Sequence, residues 1–183
     1  MATWNSRGLR GSLLEDMINR TIEKYREQGL GLIQKIPTPI TPIKIDKENR
    51  HITLAYFEQK STVDYIGAVQ SVPICFDAKE CTADTFPMQN IHEHQMLFMK
   101  DFEAQGGISF FLIYYSKKER FYYLPYLTMK QFTDRAESGG RKSFTYEELL
   151  NLVEQKEAYE VHASAGALVH FLPALSLDLE NRD

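Results

Sequence analysis

Residues 61–80 read Ser61-Thr62-Val63-Asp64-Tyr65-Ile66-Gly67-Ala68-Val69-Gln70-Ser71-Val72-Pro73-Ile74-Cys75-Phe76-Asp77-Ala78-Lys79-Glu80. Two runs rich in β-branched and aromatic residues, 63–69 and 72–80, flank the polar pair Gln70-Ser71. This is the pattern of two adjacent strands joined by a tight turn. Alternate strand residues face the same way, so Asp77 and Lys79 share one face and Phe76 and Ala78 the other. The Asp77 face is expected to be the polar, open one. Asp64 stands at the start of the neighbouring strand, where a hairpin brings it close to Asp77.

Downstream, residues 88–104 read as a helix ended by Gly106-Gly107, with Met88, Ile91, Gln95, Phe98 and Phe102 along one stripe facing the sheet. The near-continuous apolar run from Ile108 to Tyr115 marks a buried central strand. Residues 120–124 pair with it across the turn Ser116-Lys117-Lys118-Glu119. Thr145 and Glu148 form a capping box for a helix at 146–156. Residues 162–179 are apolar without a regular period and receive no element. Upstream, Leu13, Leu14, Met17, Ile18, Ile22 and Tyr25 recur at helical steps, so 12–28 is an amphipathic helix stopped by Gly29 and Gly31. Leu30 to Ile36 follows as a short strand.

Pro37-Thr38-Pro39-Ile40-Thr41-Pro42 cannot be helical, because proline lacks the amide and restricts the residue before it. Ile43-Lys44-Ile45-Asp46 and Ile52-Thr53-Leu54-Ala55-Tyr56-Phe57 then form two strands about the turn 47–50. The result is a two-stranded arm over about 37–60, carrying Lys44, Lys47, Arg50 and Lys60. The predicted architecture is α/β: one domain over 1–183, a mixed central sheet flanked by helices, and a protruding two-stranded stalk.

With 183 residues, of which 43% are hydrophobic, the chain can bury a full core. No stretch approaches the roughly 20 apolar residues of a membrane span, and no signal peptide is read at the N-terminus. Cys75 and Cys81 are too few for a disulfide framework and fit no common zinc spacing, so a reducing cytoplasm is expected. The net charge of −4 disfavours phosphate binding, but its distribution is uneven. Residues 1–60 carry ten Lys/Arg against seven Asp/Glu, and the remainder eleven against eighteen. A basic first third suits a protein with one nucleic-acid-facing side, although ordinary charge scatter gives the same numbers.

Two carboxylates in one cleft repel, which favours a cation between them. Magnesium suits hard oxygen ligands and keeps waters for chemistry. Such an ion polarises a phosphodiester and activates water, and a neighbouring lysine stabilises the charge that develops on phosphorus. Asp64, Asp77 and Lys79 are therefore a phosphodiesterase constellation, against the plainer reading of a strand salt bridge. Gln95, an amide on an apolar stripe, needs a partner, and an ion held by the two aspartates is one. Glu15 on the first helix is a candidate additional acid or an ordinary helix-start carboxylate. His92 and His94, two residues apart on a helix, are expected to point to nearly opposite sides and so not to chelate. Cys75 has no histidine placed to activate it. The loop Gly139-Gly140-Arg141-Lys142-Ser143 lacks the strand context of a phosphate loop, though its cations can touch a DNA backbone.

Taken in order, several segments resemble the RecU-type Holliday junction resolvases. They are Arg10-Gly11 with Leu14-Glu15-Asp16 and Asn19, Lys35 with Pro37-Thr38-Pro39, and Ala55-Tyr56-Phe57 leading into Ser61-Thr62-x-Asp64-Tyr65-x-Gly67. Phe76-x-Ala78-Lys79-Glu80, Phe86-Pro87-x-Gln89-Asn90-x-His92-x-His94-Gln95 and Gly140-Arg141-Lys142-Ser143 follow. The resemblance implies a restriction-endonuclease-like fold, a homodimer, and magnesium-dependent nicking of two opposed strands of a four-way DNA junction, with manganese as a substitute ion. By position it makes Thr62, Asp64, Asp77 and Gln95 the metal ligands and Lys79 the transition-state stabiliser. It places Arg10 and Lys35 where the family has basic residues important for DNA, and the 37–60 stalk in the junction centre; Lys60 on the arm and Arg141 and Lys142 in the glycine loop are read as further DNA contacts. The family usually has Glu where this chain has Asp77, and its loop between Lys79 and Phe86 is one residue longer. It is also associated with a strand-exchange recombinase as a partner. Rival readings are a duplex-cutting nuclease of the same fold and a non-enzymatic junction-binding or recombinase-regulating protein.

Overall fold

The computed structural model describes residues 13–57, 62–164 and 166–182. The amphipathic N-terminal segment forms α1 (Leu13–Glu27), which buries Leu14, Ile18, Thr21, Ile22 and Tyr25 on one face. Then come β1 (Gly31–Lys35) and the arm, β2 (Ile40–Asp46) with β3 (His51–Phe57). The hairpin of 63–80 is β4 (Tyr65–Val69) and β5 (Val72–Cys81), paired antiparallel from Tyr65↔Phe76 to Val69↔Val72. Gln70 and Ser71 both take positive φ, 46° and 74°, which gives the two-residue turn the twist that a hairpin needs.

Strand β6 (Thr85–Pro87) and a 3₁₀ turn at Met88–Asn90 lead into α2 (Glu93–Ala104). The single helix expected over 88–104 is thus broken. Ile91 and His92 are extended, and a new N-terminus opens after His92, placing Gln95 in the first turn of α2. Next come β7 (Ile108–Tyr115), β8 (Arg120–Pro125), α3 (Tyr126–Glu137), β9 (Ser143–Thr145) and α4 (Tyr146–Glu154). Helix α3 falls in a stretch to which the sequence reading assigned nothing. Its signal was present: Tyr126, Met129, Phe132 and Ala136 recur at three- and four-residue steps between Pro125 and Gly139-Gly140. The capping box of α4 forms as expected, Thr145 Oγ1 accepting from Glu148 N at 3.1 Å. The unassigned C-terminal stretch holds the end of β10 (Tyr159–Ser164), β11 (Ala167–His170) and α5 (Leu172–Glu180).

Among the described residues the main sheet has seven strands in the order β1-β4-β5-β7-β8-β10-β11. Its one parallel pair is β5 with β7, and α2 lies on the connection between them. Every residue of β7 is buried. Its side chains alternate between two cores: Phe110 and Leu112 join α1 and α5 residues, while Phe111, Ile113 and Tyr115 join α2, α3 and α4 residues. Helices therefore cover both faces, which is what an unbroken apolar run in a central strand requires. On β5 the same alternation sends Ile74 and Phe76 to the α1 side and Cys75 to the α2 side. Asp77 and Lys79 follow Cys75. The arm forms its own sheet, with Ile45 opposite Ile52 and Asp46 opposite His51. This is the α/β class expected, a mixed sheet flanked by helices with a two-stranded stalk. No described helix is long and apolar enough to cross a membrane.

Glycine is required at one place that bears on the site. A Cβ on Gly67 would stand 2.3 Å from Leu32 O and 2.6 Å from Ile33 Cα. The bare backbone lets β1 lie close against β4, and so brings Lys35 opposite Tyr65, next to Asp64.

Candidate active site

Strand β4 begins at Tyr65, so the ladder with β5 ends at Phe76 and leaves Ala78 N without a strand partner there. The carboxylate of Asp64 fills that place, Oδ2 accepting from Ala78 N at 2.9 Å. In return Asp64 N donates to Asp77 Oδ1 at 3.2 Å. The two aspartates are thereby locked together by backbone bonds, one on each strand. Ile36 N donates to Asp64 O at 2.8 Å and secures the third strand to the same corner.

Asp77 is fully buried, not on an open face as its alternation suggested, because α2 crosses over it. Gln95 Nε2 donates to Asp77 Oδ1 at 2.8 Å, which settles the position of Gln95 across the shortened loop. The Lys79 ammonium lies 2.6 Å from Asp77 Oδ2 and 3.2 Å from Gln95 Oε1. Its approach to Asp77 Oδ2 is off hydrogen-bond alignment, so that enclosed oxygen has an ion-pair neighbour but accepts no hydrogen bond. His92 N also donates to Gln95 Oε1, at 3.2 Å. This last contact is the N3 half of a capping box at the start of α2, signalled by a Gln three residues after the N-cap residue.

Burial, followed by the charge of Asp77, pushes the Asp64 carboxyl up to about 6. A buried carboxylate pair in which one member resists ionisation, with one oxygen lacking a hydrogen bond, has the donor chemistry of a site for a small hard cation. Among the described residues no group of three or more His, Cys, Asp or Glu forms a metal cluster. A cation at Asp64 and Asp77 would therefore rely on water and other oxygens to complete its shell, as magnesium does.

The Asp64 shift has a measurable consequence. A folded-state value above the unfolded one leaves no effect below about pH 4, where both states are protonated, and destabilises fully above about pH 6. The shift corresponds to about 3 kcal/mol. Asp64→Asn keeps an oxygen for Ala78 N and carries no charge. In chelator at pH 7.5 it is expected to raise Tm by about 8 °C, a gain that vanishes near pH 4. Thermal scans at the two pH values check this, and an unchanged or lower Tm at pH 7.5 would refute it.

The remaining candidates separate. Glu15 and Lys35 form an ion pair at 2.6 Å, with Lys35 in register with Tyr65 beside Asp64. Tyr65 donates to Asn19 Oδ1 at 3.2 Å and ties α1 to this end of the sheet. Thr62 is exposed in the bend that precedes Asp64. Arg141 is exposed and pairs with Glu148 at 3.5 Å. Lys142 is exposed, and its carbonyl accepts from Met88 N at 3.1 Å, so this loop lies against the turn leading to α2. Arg10 and Lys60 lie outside the described residues.

His92 and His94 do not point apart as expected. His92 precedes the helix in extended form, and the two rings stack with centroids 5.4 Å apart. Cys75 contacts Ser109 Oγ at 3.2 Å, and burial pushes its thiol up to about 12, so it is no nucleophile.

The sequence profile of the family described as RecU, Recombination protein U, matches residues 9–177. A Holliday junction resolvase RecU of Pediococcus pentosaceus is 38% identical over 178 residues, covering 95% of this chain and 86% of the relative. That of Listeria welshimeri is 40% identical over 152 residues, covering 81% and 76%. Among solved structures, the Holliday junction resolvase Hjc of Archaeoglobus fulgidus aligns with a TM-score of 0.40 and 7% identity, covering 64% of this chain and 78% of that one. The profile and the relatives span nearly the whole molecule, and this chain belongs to the RecU family.

Proposed function

We propose that this protein is an endonuclease that resolves four-way DNA junctions by paired symmetric nicks, in recombination and repair. The observation that carries the reading is the buried Asp64–Asp77 pair with Lys79 beside it, in a chain related to proteins named Holliday junction resolvases. Asp64 and Asp77 would hold a divalent cation, magnesium by preference and manganese as a substitute, with the Thr62 hydroxyl available two residues before Asp64. When bound, the ion polarises the scissile phosphodiester and strengthens water as a nucleophile. Lys79 presents its ammonium to the phosphate oxygens as charge develops on them.

Lys35, Arg141 and Lys142, with Arg10 and Lys60, hold the DNA backbone, and the stalk occupies the junction centre. Two symmetric cuts need two equivalent sites, which a two-fold homodimer provides. A cytoplasmic setting and a strand-exchange recombinase as partner belong to the same reading.

The test is a mobile four-way junction incubated beside its linear duplex arms in magnesium. Symmetric nicks confined to the junction are expected. Equal cutting of the duplex arms would leave a nuclease without junction selectivity. Binding without cutting, in magnesium and in manganese, would make the protein a junction-binding regulator and sink the enzyme reading.

A further inference from the structure

The amide of Gln95 is 7% exposed and makes three hydrogen bonds. Nε2 donates to Asp77 Oδ1, and Oε1 accepts from both Lys79 Nζ and His92 N. An amide oxygen has two lone pairs, and both are used here. Turning the amide end for end would set its oxygen against the Asp77 carboxylate. It would also set its NH₂ against an ammonium and a backbone N–H, so the network assigns the orientation. The end that meets Asp77 is a donor, which cannot ligate a cation, and the acceptor end is committed to Lys79 and the start of α2.

Lys79 thus has two seats, Asp77 Oδ2 at 2.6 Å and Gln95 Oε1 at 3.2 Å. A divalent cation arriving at the Asp77 oxygen that accepts no hydrogen bond competes with the ammonium for the same charge. The Gln95 seat stays, because His92 N holds that oxygen in place from the N-terminus of α2.

We propose that Gln95 is a positioning residue for Lys79, retaining its ammonium beside the carboxylate pair when a cation takes Asp77, and is not itself a metal ligand. This rests on the metal-dependent nuclease reading above. It commits α2 to a definite role: its first turn sets where the lysine charge stands.

Gln95→Met fills a similar volume and removes both ends of the amide. Manganese affinity, read without DNA from the electron paramagnetic resonance signal of the free ion, is expected to change less than about threefold, while cleavage at saturating metal falls at least about thirtyfold. In a Lys79→Ala background the same substitution is expected to cost no more than about threefold further, since the two residues act as a unit. Gln95→Leu, which also removes both ends of the amide at similar volume, carries the same two expectations should the Met variant fail to fold. Manganese binding weakened about tenfold or more by Gln95→Met, with the rate recovered at high metal, would make Gln95 a ligand and overturn the proposal. Losses that multiply in the double variant would overturn it too. The manganese titration needs no cleavage. Wild type that fails to cut refutes the nuclease reading, while the metal comparison still decides between ligand and positioning residue.

Discussion

Asp77→Asn is expected to lower magnesium-dependent junction cleavage by about a thousandfold or more, the scale of losing several kcal/mol of electrostatic stabilisation, while junction binding in chelator stays within a few-fold of wild type. Asn is the informative substitution. Asp77 is enclosed by Lys79, Gln95 Nε2 and Asp64 N, so truncation to Ala would leave a nearly buried ammonium unpaired. Breaking one side of such a pair costs about 3–5 kcal/mol, partly offset here by relief of the Asp64–Asp77 repulsion. A loss of activity in the Ala variant would mix catalysis with folding. Asn also leaves the ammonium without its counterion, but it keeps the shape and an acceptor and opens no void, so a Tm close to wild type would separate catalysis from folding. Asp77→Glu restores the carboxylate the family usually has, at about 1–3 kcal/mol for a methylene forced into a filled space. It should cut within about tenfold of wild type if the lost charge is what matters. A rate for Asp77→Asn within about tenfold of wild type would remove Asp77 from the chemistry, and joint loss of binding and cleavage would make it structural.

Removing residues 40–55 and closing the gap with a two-residue turn is expected to reduce junction cleavage at least about a hundredfold, while leaving the folded domain stable to within a few °C. The stalk pairs only with itself among the described strands, so the seven-stranded sheet keeps all of its ladders. Its apolar residues contribute little burial: Ile43, Ile45, Leu54 and Tyr56 are each about half exposed. Ile40 lies opposite Phe57 at the base of the arm, so a short turn can bridge the cut ends at Pro39 and Tyr56. A protein that cuts duplex should survive this excision with its activity intact, whereas a junction resolvase should not. Junction cleavage unchanged by the deletion would remove the stalk from substrate recognition. A collapse of Tm would show that the stalk supports the fold.

Most of the sheet was legible from the chain. Two-residue alternation around Gln70-Ser71 placed the β4–β5 hairpin, and the apolar run 108–115 marked the central strand. Thr145 and Glu148 announced α4 through a contact spanning three residues. Prolines 37, 39 and 42 set off the arm. These signals are local: a period, a cap or a missing amide acts on near neighbours and needs no knowledge of the rest of the fold. Helix α3 escaped although its local period was present, whereas the other segments that escaped have their order set from afar. The break at Ile91 and His92 follows the pairing of β6 with β9, more than fifty residues downstream, which anchors the turn before α2. The C-terminal stretch is short elements: a strand edge with a register shift between His162 and Ser164, four residues of β11, and a nine-residue helix. None is long enough to display a period.

The same division runs through the site. By itself the sequence determined which candidate residues meet, since strand alternation puts Asp77 with Lys79 and a hairpin brings Asp64 to them. Only the tertiary structure decided how enclosed they are. Alternation says that two side chains point the same way, but not what lies above them. Here α2 lies above Asp77 and makes Gln95 a bridge between Asp77 and Lys79, while the burial of Asp64 itself, followed by the charge of Asp77, raises the Asp64 carboxyl. Burial and electrostatics sum over everything nearby in space, whatever its distance along the chain, and for that reason only the packed fold shows how enclosed these groups are.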